Sequence, residues 1–376
     1  MMRIGRRHHL HPPGLAYIAV TLLLGVGAIN SQNSLLFLIF GAALGGVLMS
    51  GALSGAMLMG LDVERHGPVR VTAGQPVTYL YIVRNHNRFI PVFAVCIREL
   101  DDGKRGRPRR WSDRLRFGDA FAAFVPPRGS LHIEAPCMPD RRGSASLDRI
   151  AAVSTFPFGV LKKSVVFAQP ETLLVRPRQV APRSDWLDTA RGATAADGGA
   201  GQRAGQGEEF FALREHREGD SPRMIAWRSS AKVDRLLVRE HSTPTPTKVW
   251  VAIDFAGQDE EHCERAVSVA AGLIDSAIAR GLSPGLLAPS VGLTLEPPTN
   301  ASGAGKASWK SVTLDALARL DLAPTAARAP ARVGHRSGFI LIVHAGASNV
   351  GHWPADATHI SADDALTMAQ AIGAVA

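Results

Sequence analysis

Cysteine is scarce in this chain, and so are the short patterns that mark common enzymes. The 376 residues include only Cys96, Cys137 and Cys263, which lie far apart and form no C-x-x-C pair. This spacing argues against a zinc site or a disulfide framework and favours reduced thiols in a cytosolic compartment. The sequence also has no H-E-x-x-H pattern. It therefore lacks that signature of zinc proteases.

Charge is missing from two long stretches near the N-terminus. Residues 15–29 and 35–59 contain no ionisable side chain. A helix needs about 20 apolar residues to cross a bilayer, so we expect spans at about 12–30 and 35–59. Residues 1–60 then form an N-terminal tail and a transmembrane hairpin, because the polar link between the spans is short. Transporters and proton channels commonly use charged residues within their membrane spans, so the lack of such residues here argues against both functions.

The basic residues around the spans predict their orientation. Arg3, Arg6 and Arg7 precede the first span, and Arg65 and Arg70 follow the second, whereas the link has no Lys or Arg. Lys and Arg accumulate on the cytoplasmic side of membrane helices. We therefore expect the N-terminus and the large C-terminal part to be cytoplasmic. The glycine-rich second span is typical of helices that pack closely in lipid.

The periodicity of the chain changes after the second span. Residues 61–180 contain short alternating segments separated by Gly and Pro, including a hairpin expected within 69–85, which predicts an antiparallel β-sandwich. Residues 181–206 are rich in Gly and Ala, and their composition predicts a flexible linker. Residues 207–376 contain a signature segment and then an α/β domain.

The α/β prediction depends on alternating strand and helix patterns. Lys248–Phe255 and Phe339–Val343 have the composition of buried strands. Between them, apolar residues recur at helical spacing in 260–280 and again in 309–320. Strand, helix, strand, helix and strand in succession predict a parallel sheet flanked by helices. The stretch 300–307 has a weak likeness to a P-loop, but its Gly, Ser and Ala content favours a flexible loop.

The net charge of +9 raises the question of an anionic partner. Part of the excess lies in one Gly/Pro-broken loop of the predicted β-sandwich, where contact with anionic lipid and a solvated loop are both open interpretations. Nucleic acid is not expected, since the segment richest in charge is balanced in sign. The loop residues with the densest charge are Arg105, Arg107, Arg109 and Arg110.

Residues 207–241 hold seven basic and seven acidic side chains among large apolar ones. Three interpretations are open: a structural clamp or domain-docking surface, a partner-binding surface, or an active site around Glu209, His216, Asp220 and Arg223 with shifted pKa values. Under the first, Asp220 caps a helix that runs through Trp227, and the arginines pair with nearby carboxylates.

The run GEEFFALREHREGDSPRMIAWRSSAK closely resembles the signature of the domain of unknown function 58 family, roughly G-E-F-x-x-L-R-x-Y-x-x-G-D-x-x-R-x-I-x-W-x-x-S-A-R. His216 stands where Tyr is usual and Lys232 where Arg is usual. Asp140–Gly143, Phe156–Gly159 and the start of the second span resemble other parts of that family. The matching positions are Glu209, Phe210, Leu213, Arg214, Gly219, Asp220, Arg223, Ile225, Trp227, Ser230 and Ala231.

The resemblance implies a membrane hairpin, a β-sandwich and a von Willebrand factor type A-like α/β domain. Such proteins are often encoded beside MoxR-type AAA+ ATPases. It therefore implies a non-enzymatic scaffold or adaptor of the bacterial inner membrane that acts with such an ATPase in the assembly or maturation of membrane or envelope complexes. The alternative is an enzyme of unknown reaction whose site includes Glu209, His216, Asp220 and Arg223.

The resemblance also bears on metal binding. An active type A domain binds Mg²⁺ through a D-x-S-x-S loop, which supplies the oxygen ligands that a hard cation requires. Here the matching stretch is Asp254, Ala256 and Gln258, and His344 precedes the position where an Asp-Gly would be expected. One carboxylate remains, so we expect a degenerate site with no metal and no cofactor.

Overall fold

The chain divides into two compact units, Met1–Arg176 and Pro177–Ala376. A computed structural model describes residues 2–10, 12–101, 111–180, 186–187, 202–205, 209–218, 220–244, 247–255, 259–298, 303–322, 338–346, 353–355, 357–363 and 365. The predicted linker 181–206 and the basic residues Arg105, Arg107, Arg109 and Arg110 lie largely or wholly outside the described residues.

Two apolar helices open the first unit. Helix α1 spans Pro12–Ser31 and helix α2 spans Ser34–Met59. The side chain of Asn33 accepts a hydrogen bond of 2.9 Å from Leu35 N and so caps α2. Both helices are long and apolar enough to cross a membrane, and most of each is unburied. Their bounds agree within about a residue with the predicted spans.

The rest of the first unit is β-structure in two sheets. A six-stranded sheet has the order β1-β10-β9-β5-β7, with β3 parallel to the end of β10, and a four-stranded sheet has the order β2-β4-β8-β6. The strands are β1 (Met2–Leu10), β2 (Leu61–His66), β3 (Arg70–Thr72), β4 (Val77–Asn85), β5 (Val92–Leu100), β6 (Leu115–Phe117), β7 (Ala120–Val125), β8 (Ser130–Pro139), β9 (Gly143–Ser154) and β10 (Leu161–Arg176).

The two sheets enclose one hydrophobic core, which Tyr79, Val83, Ile97 and Phe167 help to fill. Cys137 lies in this core, and burial raises the pKa of its thiol to about 12. A thiol that stays protonated is a poor nucleophile. The β-rich architecture agrees with the predicted sandwich, although β3 and β4 do not pair, so the expected hairpin within 69–85 is wrong.

The N-terminal residues form a strand instead of the expected solvated tail. Strand β1 pairs antiparallel with β10, and this register places Arg7 beside Ser164 and His8 beside Lys163. The edge of β10 offers unpaired backbone groups that any extended segment can satisfy. Side-chain pattern therefore has little influence on whether such a strand forms.

A buried ion cluster joins the two sheets. The guanidinium of Arg65 donates to both carboxylate oxygens of Glu99, at 2.9 and 2.8 Å, and to Glu171 at 2.9 Å. The Tyr81 hydroxyl donates to Glu99 at 2.8 Å. Burial raises the pKa of Glu99, and the guanidinium of Arg65 opposes that shift. Arg65 was expected to mark the membrane boundary, but its charge is neutralised inside the sandwich.

The second unit contains two further sheets. Strands β11 (Gln202–Gly205), β12 (Glu209–Glu215) and β13 (Leu237–Pro244) form an antiparallel sheet with β13 in the centre. The larger sheet has the order β16-β15-β14-β17-β18, in which only β16 is antiparallel to its neighbour. Its strands are β14 (Lys248–Asp254), β15 (Ser283–Ala288), β16 (Leu293–Leu295), β17 (Phe339–His344) and β18 (Thr358–Ser361).

Helices α3 (Trp227–Val233), α4 (Glu260–Ala279) and α5 (Gly303–Arg319) belong to this unit. The carboxylate of Asp259 caps α4 by accepting from His262 N at 2.9 Å. Buried residues of α4 and α5 share one core with the sheet, including Leu273, Leu314 and Val251. Helix α5 begins at Gly303, within the stretch predicted as a loop, and its Trp309 Nε1 donates to Pro284 O at 2.7 Å.

Candidate functional site

The signature segment folds around the pairing of β12 with β13. Between these strands lie a 3-10 turn at Pro222–Met224 and helix α3. Ile225 forms a β-bridge with Val238, and Ala226 N donates to Leu237 O at 2.8 Å. These contacts tie the start of α3 to the first residues of β13.

Ser230 fixes the other side of α3. Its hydroxyl donates to Ala226 O at 3.1 Å and accepts from Leu237 N at 2.9 Å. The side chain is buried, as are Ala226 and Val238. A buried hydroxyl with both roles satisfied explains why a small polar residue stands at this position of the signature.

Arg214 and Asp220 hold the turn that follows β12. Arg214 Nη1 and Nη2 donate to the two carboxylate oxygens of Asp220 at 2.6 and 2.7 Å. Arg217 N also donates to Asp220, at 2.8 Å. These hydrogen bonds, that of Arg214 foremost, lower the pKa of the Asp220 carboxyl. Charge-assisted pairs of this bidentate kind fix geometry as well as energy.

The expected role of Asp220 as a helix cap is wrong. The residue before the 3-10 turn is Ser221, and Asp220 uses its carboxylate on Arg214 and Arg217 instead. Glu215 pairs with Arg235 at 2.7 Å in an exposed salt bridge. The segment is therefore charge-paired in part. The Arg214–Asp220 pair is of the expected kind, whereas Glu215 pairs with Arg235 and not with one of the expected arginines.

Large apolar side chains on and just after α3 are exposed. Trp227 is 63% exposed, Val233 57% and Leu236 48%, whereas the structural-clamp interpretation requires Trp227 to be partly buried. Arg223, Arg228 and Lys232 are exposed nearby along the chain. We call Arg223, Trp227, Arg228, Lys232, Val233 and Leu236 the signature face.

Three signature residues lie wholly or in part outside the described structure. Gly219 lies outside the described residues, and only the backbone of Glu209 and Phe210 is described. Leu213 on β12 is 40% exposed. The backbone N of His216 donates to Leu236 O at 2.9 Å.

A second polar cluster lies at the carboxyl ends of β14, β17 and β18. The Nδ1 atom of His344 is 3.1 Å from Oδ2 of Asp254, and its Nε2 atom is 2.7 Å from Nδ1 of His359. Trp353 Nε1 donates to the same Asp254 oxygen at 3.4 Å. Asp254 and His344 are 6% and 2% exposed. Ligand sites of α/β sheets commonly lie at this edge, where the strand order reverses.

The chemistry of this cluster differs from that of a cation site. His344 uses both ring nitrogens within the cluster, and burial lowers the pKa of His359. Among the residues that the structure describes, no group of three or more His, Cys, Asp or Glu side chains is arranged to hold a metal ion. Ala256 and Gln258 lie outside those residues.

Sequence reasoning missed His359 and Trp353 altogether. His344 was identified only as the residue before the position of an expected ligand. His359 is 15 positions further along the chain and reaches His344 because β17 and β18 are neighbours. The stacked rings, with centroids 5.0 Å apart, follow from that pairing.

Two solved structures were compared with the chain. They are the crystal structure, with di-metal ions, and the solution NMR structure of the CARDB domain of the PF1109 protein from Pyrococcus furiosus. Each is 14% identical to the chain and covers 31% of it, with a TM-score of 0.19; the chain covers 86% of the first and 94% of the second.

The sequence comparisons concern the second unit. No curated protein matches the chain. Residues 212–332 match the family model described as "Protein of unknown function DUF58". The matched residues include most of the signature segment and strands β14 to β16. This match supports the DUF58 family for the chain.

Proposed function

We propose that the chain is a membrane-anchored scaffold or adaptor that binds a partner protein through the signature face. The anchor is the α1–α2 pair, whose apolar surfaces are mostly unburied. A non-enzymatic role is favoured because Asp220, the central carboxylate of the alternative active site, is committed to Arg214 and Arg217. Such a carboxylate is poorly placed for proton transfer.

The observation that carries this proposal is the exposure of Trp227 beside basic side chains. Clustered exposed apolar residues mark interaction sites on soluble surfaces. Tryptophan and arginine are also enriched among the residues that dominate binding energy. The surrounding Arg223, Arg228 and Lys232 would select a partner surface that is acidic and has a pocket for the indole.

The partner class comes from the family resemblance. We infer a MoxR-type AAA+ ATPase, with assembly or maturation of membrane or envelope complexes as the process. The strand order β16-β15-β14-β17-β18 with an antiparallel edge strand supports a von Willebrand factor type A-like domain. Such a domain would serve as a docking module.

The proposed location is the bacterial inner membrane, with two spans and both ends cytoplasmic. Support comes from Arg3, Arg6 and Arg7 before α1 and from the uncharged link after it. Arg65 no longer contributes, since its charge is buried with Glu99.

The test is capture of the ATPase from detergent-solubilised membranes by the full-length chain. Wild type should co-purify an ATPase, identified by mass spectrometry and by ATP hydrolysis. Trp227→Ala and the double variant Arg223→Ala/Arg228→Ala should lose it with an unchanged melting temperature. Phe121→Ala, which removes an equally exposed aromatic from the first unit, is the matched control. Capture that survives both signature variants would contradict the proposal.

A further inference from the structure

A cavity of about 370 Å³ lies between α2 and β10. Its α2 wall is made of small and apolar residues, including Gly51, Gly55 and Met59, and its β10 wall includes Lys163 and Ser164. The cavity is therefore apolar on the helix side and carries a cation on the strand side. This arrangement suits a molecule with an apolar part and an anionic part.

The lengths of the two helices place the cavity at a definite depth. Helix α1 has 20 residues and α2 has 26, about 30 and 39 Å at 1.5 Å per residue. The hydrocarbon core of a bilayer is about 30 Å thick. The helices are antiparallel with a short link, so the excess length of α2 lies at its C-terminal end. Gly51 and Gly55 then lie near the boundary between acyl chains and headgroups.

Contacts between the helices and the sandwich show that this end of the sandwich packs against both helices. A Cβ atom on Gly14, near the start of α1, would lie 2.1 Å from Val160 O, just before β10. A Cβ atom on Gly46 would lie 3.7 Å from the ring of Phe158, an exposed residue of the β9–β10 turn. The turn that holds Phe158 therefore contacts α2 closer to the link between the two helices than Lys163 does.

Lys163 is a cation that pairs with no carboxylate among the described residues. Its ammonium donates to Gly51 O, which leaves two of its three protons for another acceptor. No salt bridge joins it to a carboxylate in the described part of the chain, and burial lowers the pKa of its ammonium. A partly desolvated cation is stabilised by a nearby anion. The register of β1 adds Arg7 and His8 to the same stretch of β10.

We propose that this cavity binds one anionic phospholipid, with the headgroup phosphate against Lys163 and an acyl chain along the Gly51–Gly55 surface of α2. The proposal rests on the proposed membrane anchorage and adds a specific lipid site to it. An anionic headgroup supplies the missing counter-charge, and the apolar wall accepts a chain from the adjoining bilayer. A zwitterionic lipid of the same length would fill the space without equal electrostatic benefit.

The experiment is native mass spectrometry of the full-length protein in neutral detergent, with phosphatidylglycerol or phosphatidylcholine of identical acyl chains. Wild type should retain one phosphatidylglycerol in preference to phosphatidylcholine. Lys163→Gln should reduce that preference about fivefold, the effect of one cation near a membrane surface. The control Lys162→Gln removes the neighbouring charge, which the alternation of the strand directs to the other face, and should keep the preference.

A second pair of variants tests the space itself. Gly55→Leu should reduce retention of both lipids, because its side chain enters the cavity and its Cβ atom would lie 3.0 Å from Lys163 Nζ, which must then shift. Gly41→Leu is the control, since a Cβ atom there meets nothing within 4 Å. Equal retention of the two lipids by wild type, or equal loss in Lys162→Gln and Lys163→Gln, would overturn the site. Displacement of the lipid by millimolar inorganic phosphate would overturn the lipid assignment.

Membrane anchorage is tested apart from the lipid site by carbonate extraction. A wild-type chain that stays in the membrane but shows no preference for phosphatidylglycerol refutes only the cavity. A chain that carbonate releases refutes the anchorage, and the lipid site falls with it.

Discussion

The imidazole of His344 lies 3.1 Å from the carboxylate of Asp254, at the carboxyl edge of the parallel sheet. In the type A-like domain proposed above, this edge corresponds to the position of a divalent cation. A second imidazole, that of His359, extends the chain of hydrogen bonds from His344. The side chains of Asp254, His344 and His359 are therefore joined by hydrogen bonds at this edge.

This relationship predicts the response to magnesium. Millimolar Mg²⁺ should leave the melting temperature of the full-length protein unchanged relative to an ionic-strength control, because His344 engages Asp254 and oxygen ligands are few. Differential scanning fluorimetry in detergent is the measurement. A rise of several degrees that Asp254→Ala abolishes would contradict the prediction.

The His359 imidazole predicts a pH dependence of stability. Burial lowers its pKa in the folded state, so the unfolded chain binds the proton more readily. Stability from this group is present above the unfolded value of about 6.5 and is lost as pH falls through the folded pKa. Between pH 7 and pH 5, the melting temperature should fall a few degrees less in His359→Asn than in wild type. His132→Asn, at an exposed strand position, should behave like wild type; if it matched His359→Asn, the assignment to His359 would be wrong.

Sequence patterns correctly predicted those helices and strands that are determined by residues close together in the chain. Helix α4 has an apolar period and an Asp259 cap within its own sequence, and the prediction of 260–280 differs from the observed end by one residue. The two apolar helices were equally predictable, since composition alone makes them. Strand β14 was also predicted, because a continuous apolar run between polar ends is typical of a buried strand.

Pairings between distant segments were not predictable in the same way. Strand β1 has a basic sequence and exists because β10 offers an edge. Arg65 looked like a membrane-boundary charge, and only the assembly of β2, β5 and β10 brings Glu99 and Glu171 to it. The exposure of Trp227 depends on which face of α3 meets β13, and the short helix carries too little periodicity to decide that.

The Arg65 cluster predicts a large effect on stability. Arg65→Ala leaves Glu99 buried without its partner, which should cost about 3–5 kcal/mol. The double variant Arg65→Met/Glu99→Leu removes both charges and should recover most of that loss. The measurement is chemical unfolding of the full-length protein. Arg116→Ala breaks an exposed pair with Asp140 and should change little; a double variant as unstable as Arg65→Ala would contradict the cluster's assigned role.

The charge pattern predicts topology. A periplasm-active phosphatase fused after Ala376 should be inactive, and a fluorescent protein fused there should fluoresce, because both ends are proposed to be cytoplasmic. The same phosphatase inserted in the link at Gln32 should be active. The opposite pattern would reverse the orientation and remove the argument for reduced cysteines.

The Arg214–Asp220 pair predicts how the signature segment tolerates change. Arg214→Ala removes two of the three hydrogen bonds that the Asp220 carboxylate accepts, so the turn before α3 should loosen and the melting temperature should fall by a few degrees. Because lost pairing also frees the carboxylate, the Asp220 pKa should return toward its usual range, and the acid side of the stability profile should flatten between pH 5 and pH 3. Arg235→Ala, which removes an exposed partner of Glu215, should leave both measurements near wild type. If Arg214→Ala kept the wild-type melting temperature but lost partner capture, the pair would be a binding element and not the support of the turn.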